Sequence, residues 1–216
     1  MKAAAAFFFL LVFCTGNFAQ EKQVKHNYAL SFGIADYLRL NRFDMDIAGK
    51  KILDNNNQIR IFLSPRFSSN DRETEQLSLS NRNKIESSNY SIGAGIDYLF
   101  YLASSGDFYL FSGPGMDLNY GYMKENLKNS NTAGISITER NTPSFGAGLR
   151  GILGIEWMVS ENIGIHSEYL LTMSYQKIKT EGHETLNGIG TGSDLNIKEN
   201  RFSIQSRVLF GLSIYL

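Results

Sequence analysis

Cysteine is almost absent from this chain: Cys14 is the single one, and it lies in the N-terminal leader. Disulfides, thiol catalysis and a cysteine metal cluster are thereby excluded from everything downstream. Proline is nearly as scarce, at three residues, and histidine also stands at three. Excess charge of either sign is missing too, because 21 basic residues balance 21 acidic ones. No basic run or aromatic-basic interleaving suits nucleic acid, so no nucleic-acid partner is expected. No apolar run reaches the roughly 20 residues that a membrane helix needs. With 43% hydrophobic residues and a mean hydropathy of -0.20, the chain could pass for a soluble globule. Membrane β-barrels share that disguise, because only every second strand residue meets lipid.

What is present is alternation. Over the last stretch, Phe202, Ile204, Val208, Phe210, Leu212, Ile214 and Leu216 share one parity, while Ser203, Gln205, Arg207, Gly211, Ser213 and Tyr215 share the other. A tilted membrane strand needs about 9 to 11 residues of such a pattern, roughly twice the usual soluble strand. The same parity logic gives strands over Ile163 to Ile178, Ser144 to Val159, Phe108 to Met123 and Asn89 to Leu102. Weaker ones follow over Gln58 to Ser68 and Asn27 to Ala35, with another around Phe43, Met45 and Ile47. The total of eight is even, so short turns near Asn56, Ser105 and Glu161 share one side with both termini. The long polar connections, Ser69 to Ser88, Lys124 to Thr142 and Lys179 to Asn200, then read as outer loops, with a short one near Leu38 to Arg42. The expected fold is all-β: an eight-stranded antiparallel transmembrane β-barrel, an up-and-down meander.

Charge agrees with that register. A lipid-facing Lys or Arg costs about 2 to 4 kcal/mol at the bilayer midplane. On the outer parity only Lys51 and Lys177 are basic within the spans, and both fall near strand ends. Trp157, Tyr98, Phe100 and Phe108 form the expected inner aromatic girdle, with Tyr90, Tyr120, Tyr122 and Tyr175 in the outer one. Pro65 and Pro114 each remove a ladder donor and are read as sites for a bulge.

The inner parity carries Arg60, Arg66, Arg150 and Arg207 against Asp97, Asp117, Glu156 and Glu168, interleaved with glycines. Eight strands enclose an interior only wide enough for side chains, so a filled lumen with an ion-pair network is expected. A hairpin centred on Glu161 sets Glu156 against His166 and Gly154 against Glu168; one centred on Ser105 sets Tyr101 against Tyr109. Glu156 and His166 are expected to pair.

Two motifs invite catalytic readings. Gly146 to Gly151 matches the dinucleotide fingerprint G-x-G-x-x-G, but it lies within a strand, without the helix whose N-terminus would hold a pyrophosphate. His166, Ser167 and Glu168 supply the parts of acyl transfer, yet alternation turns Ser167 to lipid and the other two inward. No cofactor, metal site or enzyme activity is expected.

At the N-terminus, Met1-Lys2 and the apolar Ala3 to Phe13 have the form of a secretory signal peptide, with cleavage expected after Ala19. The domain plan is a signal peptide over 1–19 and a single barrel over 20–216. Gly211, Ile214 and the terminal Leu216 resemble the C-terminal signature of bacterial outer-membrane β-barrels. The mature chain as a whole resembles the small OmpX/OmpA-type outer-membrane β-barrel family. That resemblance implies an integral outer-membrane location and insertion by the barrel-assembly machinery reading the last strand. It implies contact with outer-membrane lipid and lipopolysaccharide, and a structural or surface role in adhesion, defence or envelope integrity, with an extracellular ligand at the loops. Alternatives are a narrow solute channel similar to the OmpW group and a lipid-modifying enzyme similar to the PagL type, whose His and Ser on one face are not matched here.

Overall fold

The computed structural model describes residues 26–35, 42–53, 57–76, 81–131, 134–186 and 194–216. The predicted signal peptide, the connection at 38–41, the turn at 54–56 and the glycine-rich apex at 188–192 lie outside the described residues. Eight strands follow in chain order: β1 (Tyr28–Ala35), β2 (Arg42–Ile52), β3 (Gln58–Gln76), β4 (Asn81–Ser105), β5 (Phe108–Asn131), β6 (Gly134–Ser160), β7 (Ile163–Leu186) and β8 (Asp194–Tyr215). Each pairs antiparallel with the next, and β1 pairs with β8, so the sheet closes into a barrel.

Closure turns the sequence alternation inside out relative to a soluble protein. Ile61, Leu149, Phe202 and Ile204 are among the most exposed apolar residues, at 60–66%. Arg60, Asp97 and Glu168 on the opposite parity are buried. An apolar exterior around a polar interior is stable only in lipid. Lys51 and Lys177 do point outward. Phe108 stacks on Trp157 with ring centroids 5.9 Å apart, at the end with the short turns. Two of those turns are tight: Gly106-Asp107, where Gly106 takes a left-handed φ of 59°, and Glu161-Asn162.

Four expectations need correction. The stretches read as outer loops are largely strand, since β3 to β8 run on in register well past the outer tyrosines. Their polar composition reflects water on both faces above the membrane, and backbone pairing continues regardless. Neither Pro65 nor Pro114 causes a register shift; Pro65 stays opposite Ile92 and Pro114 opposite Gly151. The shifts instead fall beside the tight turns, between Tyr101 and Ala103 and between Met158 and Ser160. The first of these puts Tyr101 opposite Phe111, not Tyr109, although the two tyrosine rings still meet at 5.5 Å.

Inside the barrel, large side chains lie across glycines of the neighbouring strand. Phe62 is opposite Gly95, Phe111 opposite Gly154, and His166 opposite Gly211. A Cβ on any of the three glycines would collide with the ring it faces. Gly49, by contrast, has open space around it. Gly154→Val is therefore expected to lower stability by about 1 to 3 kcal/mol or more through overpacking, while Gly49→Ala stays near neutral. Urea titration of the refolded protein in micelles, read as the midpoint of unfolding, checks both.

Candidate functional site

The lumen is divided into two zones. At the end with the short turns, Tyr215 donates from its hydroxyl to Glu156 Oε2 at 2.6 Å, and Lys50 Nζ stands 3.5 Å from Glu156 Oε1. Lys50 also donates to Ser213 Oγ at 2.9 Å. Ser213 lies 3.2 Å from His166 Nδ1, and Glu168 Oε1 lies 3.6 Å from His166 Nε2. Glu156 and His166 are opposite in register, yet their side chains take other partners: Glu156 goes to Lys50 and Tyr215, and His166 to Ser213 and Glu168. The expected Glu156–His166 pair is thus replaced, because Lys50 enters from β2 and claims the carboxylate.

The next level is held by arginines. Arg60 donates to Glu168 through both terminal nitrogens, at 2.5 and 2.9 Å, and through Nε to Asp97 at 2.8 Å. Arg150 meets the same Asp97 through Nε at 2.7 Å and Nη2 at 2.6 Å, and its guanidinium lies 3.6 Å over the Phe62 ring. Beside these pairs pack Leu99, Phe111, Ile152, Leu170 and Leu209, all buried. Leu209 sits on the inward parity because it fills space above Gly33. Together these groups close the lumen at this level.

Toward the end with the long strands the filling stops. A cavity of about 640 Å³ opens there, with Phe62, Arg150 and Arg207 among its lining and serine, threonine, asparagine and glutamine side chains on its walls. The expectation of a side-chain-filled lumen therefore holds only below this cup. Glycine and serine dominate the upper inward positions, and they are too small to meet across the barrel. Arg207 joins Asp44 at 3.2 Å and Asp46 at 2.8 Å, and Arg66 joins Asp44 at 3.1 Å with its side chain 42% exposed to the cup.

Of the nine lumen residues expected from sequence, Arg60, Asp97, Arg150 and Glu168 form one cluster with His166 at its edge. Glu156 belongs to the neighbouring level, while Arg66 and Arg207 meet the two β2 aspartates. Asp117 joins none of these ion pairs and lines the cup. Lys50, Asp44, Asp46, Ser213 and Tyr215 lie outside those nine. Their signal is available, since 44, 46 and 50 share the inward parity of β2. Of the expected assembly residues, Gly211 faces inward beneath His166, Ile214 faces outward, and Leu216 lies just past β8, its amide bonded to the Tyr28 carbonyl.

A serine, a histidine and a glutamate thus do converge, as Ser213, His166 and Glu168, but Ser213 and Glu168 are 0% exposed and His166 1%. No substrate reaches them in this packing. Ser167 points away on the outer parity. Gly146 and Gly148 of the fingerprint lie within β6, opposite Asn119 and Asp117. No group of three or more metal-binding side chains occurs among the described residues.

Comparison with known proteins agrees with this architecture. The family model of the outer membrane protein beta-barrel domain matches residues 5–205. The chain belongs to that family. As a member of this family it is an integral protein of the bacterial outer membrane. Similar solved structures include a major outer membrane protein from Thermus thermophilus, at 9% identity and a TM-score of 0.41, covering 89% of this chain and 100% of that one. Neisserial surface protein A is similar at 14% identity and 0.37, covering 88% and 93%. Ail, the attachment invasion locus protein of Yersinia pestis, is similar at 14% and 0.26, covering 87% and 92%. No curated protein matches the chain.

For this family member, the Arg60–Glu168 pair is the most consequential contact in the closed level. Removing one partner of a buried ion pair strands the other and costs about 3 to 5 kcal/mol. Glu168→Ala and Arg60→Ala should each destabilise on that scale, and Arg60→Met with Glu168→Leu should cost clearly less than the sum of its two single changes. A double-mutant cycle by urea unfolding in micelles measures the coupling.

Proposed function

We propose that this protein is a non-enzymatic surface-interaction protein whose barrel anchors a projecting sheet. The observation that carries the reading is the height of β3 to β8. From Tyr90 and Tyr120 to the strand tips the hairpin of β4 and β5 continues for roughly 30 Å, at about 3.3 Å per residue. Its outer face there, with that of β3, bears Asp71, Glu73, Lys84, Glu86, Lys124 and Lys128, and no apolar belt. Lys84 pairs with Glu86 at 2.5 Å, which holds its ammonium above the usual lysine range.

Among the described residues β1 covers β8 only from Leu209 to Tyr215, and β2 covers β3 only from Gln58 to Ser68. Among the described residues, 194–208 and 69–76 thus lie at strand edges not covered by β1 or β2, and a strand edge suits recognition by an extended partner segment. The closed lower lumen favours this reading over a solute channel. The burial of Ser213, His166 and Glu168 favours it over hydrolytic chemistry.

Two further contacts belong to the proposal. Lys177, Lys179 and Lys198 gather on the outer face just above Tyr175 and Phe202, with Lys179 directly opposite Lys198. Lys179 is paired with Glu181 on the same face, and phosphate groups of outer-leaflet lipopolysaccharide are the partners expected for the rest of the cluster. The C-terminal strand, with Ile214 and Leu216 facing out, is the segment offered to the barrel-assembly machinery.

The test compares bacteria displaying the full chain with bacteria displaying a form in which 69–88 and 124–142 are trimmed to tight turns, at equal surface amounts. Attachment to host cells and matrix-coated surfaces should fall at least severalfold on trimming, while the barrel keeps its shift on boiling in a gel. Equal attachment by the two strains would contradict the proposal.

A further inference from the structure

Among the described residues, the charges in the membrane-spanning lumen settle into three sets of paired groups. Arg60 and Arg150 meet Asp97 and Glu168. Arg66 and Arg207 meet Asp44 and Asp46. Lys50 stands against Glu156. Asp117 is left over. Its Oδ1 is buried with no hydrogen-bond partner, and its Oδ2 is approached by Asn119 Nδ2 at 3.5 Å. A half-buried carboxylate with one oxygen sealed off, no cation and one distant donor is costly to keep. The other lumen acids all avoid that cost through the pairs just named.

The surroundings leave one side of Asp117 open to the cup. Directly across from it are Gly95 on β4 and Gly148 on β6, and Gly115 lies two residues before it. A Cβ on Gly148 would lie 2.7 Å from Asp117 Oδ1, so a larger residue there would push the carboxylate from its place. One level higher the arrangement repeats, with Asn119 Oδ1 at 2.7 Å from the corresponding virtual atom on Gly146. This clearing opens into the cup of about 640 Å³, a volume within the usual range of small-molecule sites. Ser91, Ser144, Ser174 and Gln176 stand among its walls and can each donate or accept.

We propose that the cup binds a small hydroxylated primary amine, with the ammonium at Asp117 and the hydroxyls on the serine and glutamine walls. An ammonium in the cup supplies a donor and a positive charge to the cup-facing side of the one lumen acid outside the three sets, while Oδ1 stays packed against Gly148. A free anion finds no such vacancy, since Arg66 and Arg207 already face Asp44 and Asp46. A divalent cation would want six or more oxygen ligands, several of them carboxylates, and Asp117 is one carboxylate. The closed level beneath makes the cup a dead end, so the amine is held there and not passed through.

The test uses the full chain refolded in micelles at about pH 6, where an amino sugar is protonated. Glucosamine and glucose, which differ by an ammonium in place of a hydroxyl, are titrated side by side by calorimetry. Glucosamine should bind saturably, and glucose at least tenfold more weakly. Asp117→Asn should weaken glucosamine at least tenfold while the protein keeps its shift on boiling. Gly148→Ala, which crowds the carboxylate and leaves its charge, should weaken glucosamine as well. Equal binding of the two sugars, undiminished binding by Asp117→Asn, or no glucosamine binding at millimolar concentration would each overturn the assignment.

Discussion

An eight-stranded barrel has so little room inside that several of its large side chains lie over a glycine on a neighbouring strand. That steric pattern recurs through the interior. Phe62 over Gly95, Phe111 over Gly154 and His166 over Gly211 are aromatic cases; Asp97 opposite Gly115 and Asp117 opposite Gly148 are charged ones. Where large residues and glycines alternate, the lumen closes. Where serine and glycine occupy both sides, it stays open as the cup.

The electrostatics follow from that spacing. Buried charges are tolerated when geometry and hydrogen bonds are good, and the fork of Arg60 on Glu168 with Arg150 on Asp97 provides both. These contacts cross between strands far apart in sequence, so they also pin the barrel's cross-section. The upper aspartates and arginines sit beside water and hold more loosely, as the exposure of Arg66 indicates. The molecule is thereby divided into a sealed lower half, an open cup and a projecting sheet.

Much of this is legible in the sequence because parity is a strong signal. Phe202 to Leu216 alone distinguishes lipid face from lumen face, and the even strand count follows from turn chemistry. Glu156 opposite His166 is recoverable from the hairpin centre. Side-chain partners are not, because register fixes only neighbours along the sheet, while Lys50 reaches Glu156 and Arg60 reaches Glu168 across the lumen. The long strands beyond the membrane read as loops since their composition is that of solvated chain; what keeps them extended is pairing in register with a partner strand, which composition does not encode. The bulge near Leu102 is equally invisible, being a local accommodation beside a tight turn.

Packed side chains shut the lower lumen. Reconstituting the protein in planar bilayers and recording current shows whether ions can pass them. The expected result is silence from a preparation whose folded band shifts on boiling, for the native chain. Stable single-channel steps from that same folded preparation would contradict it, because ions would then be crossing the level held by Arg60, Glu168, Asp97 and Arg150.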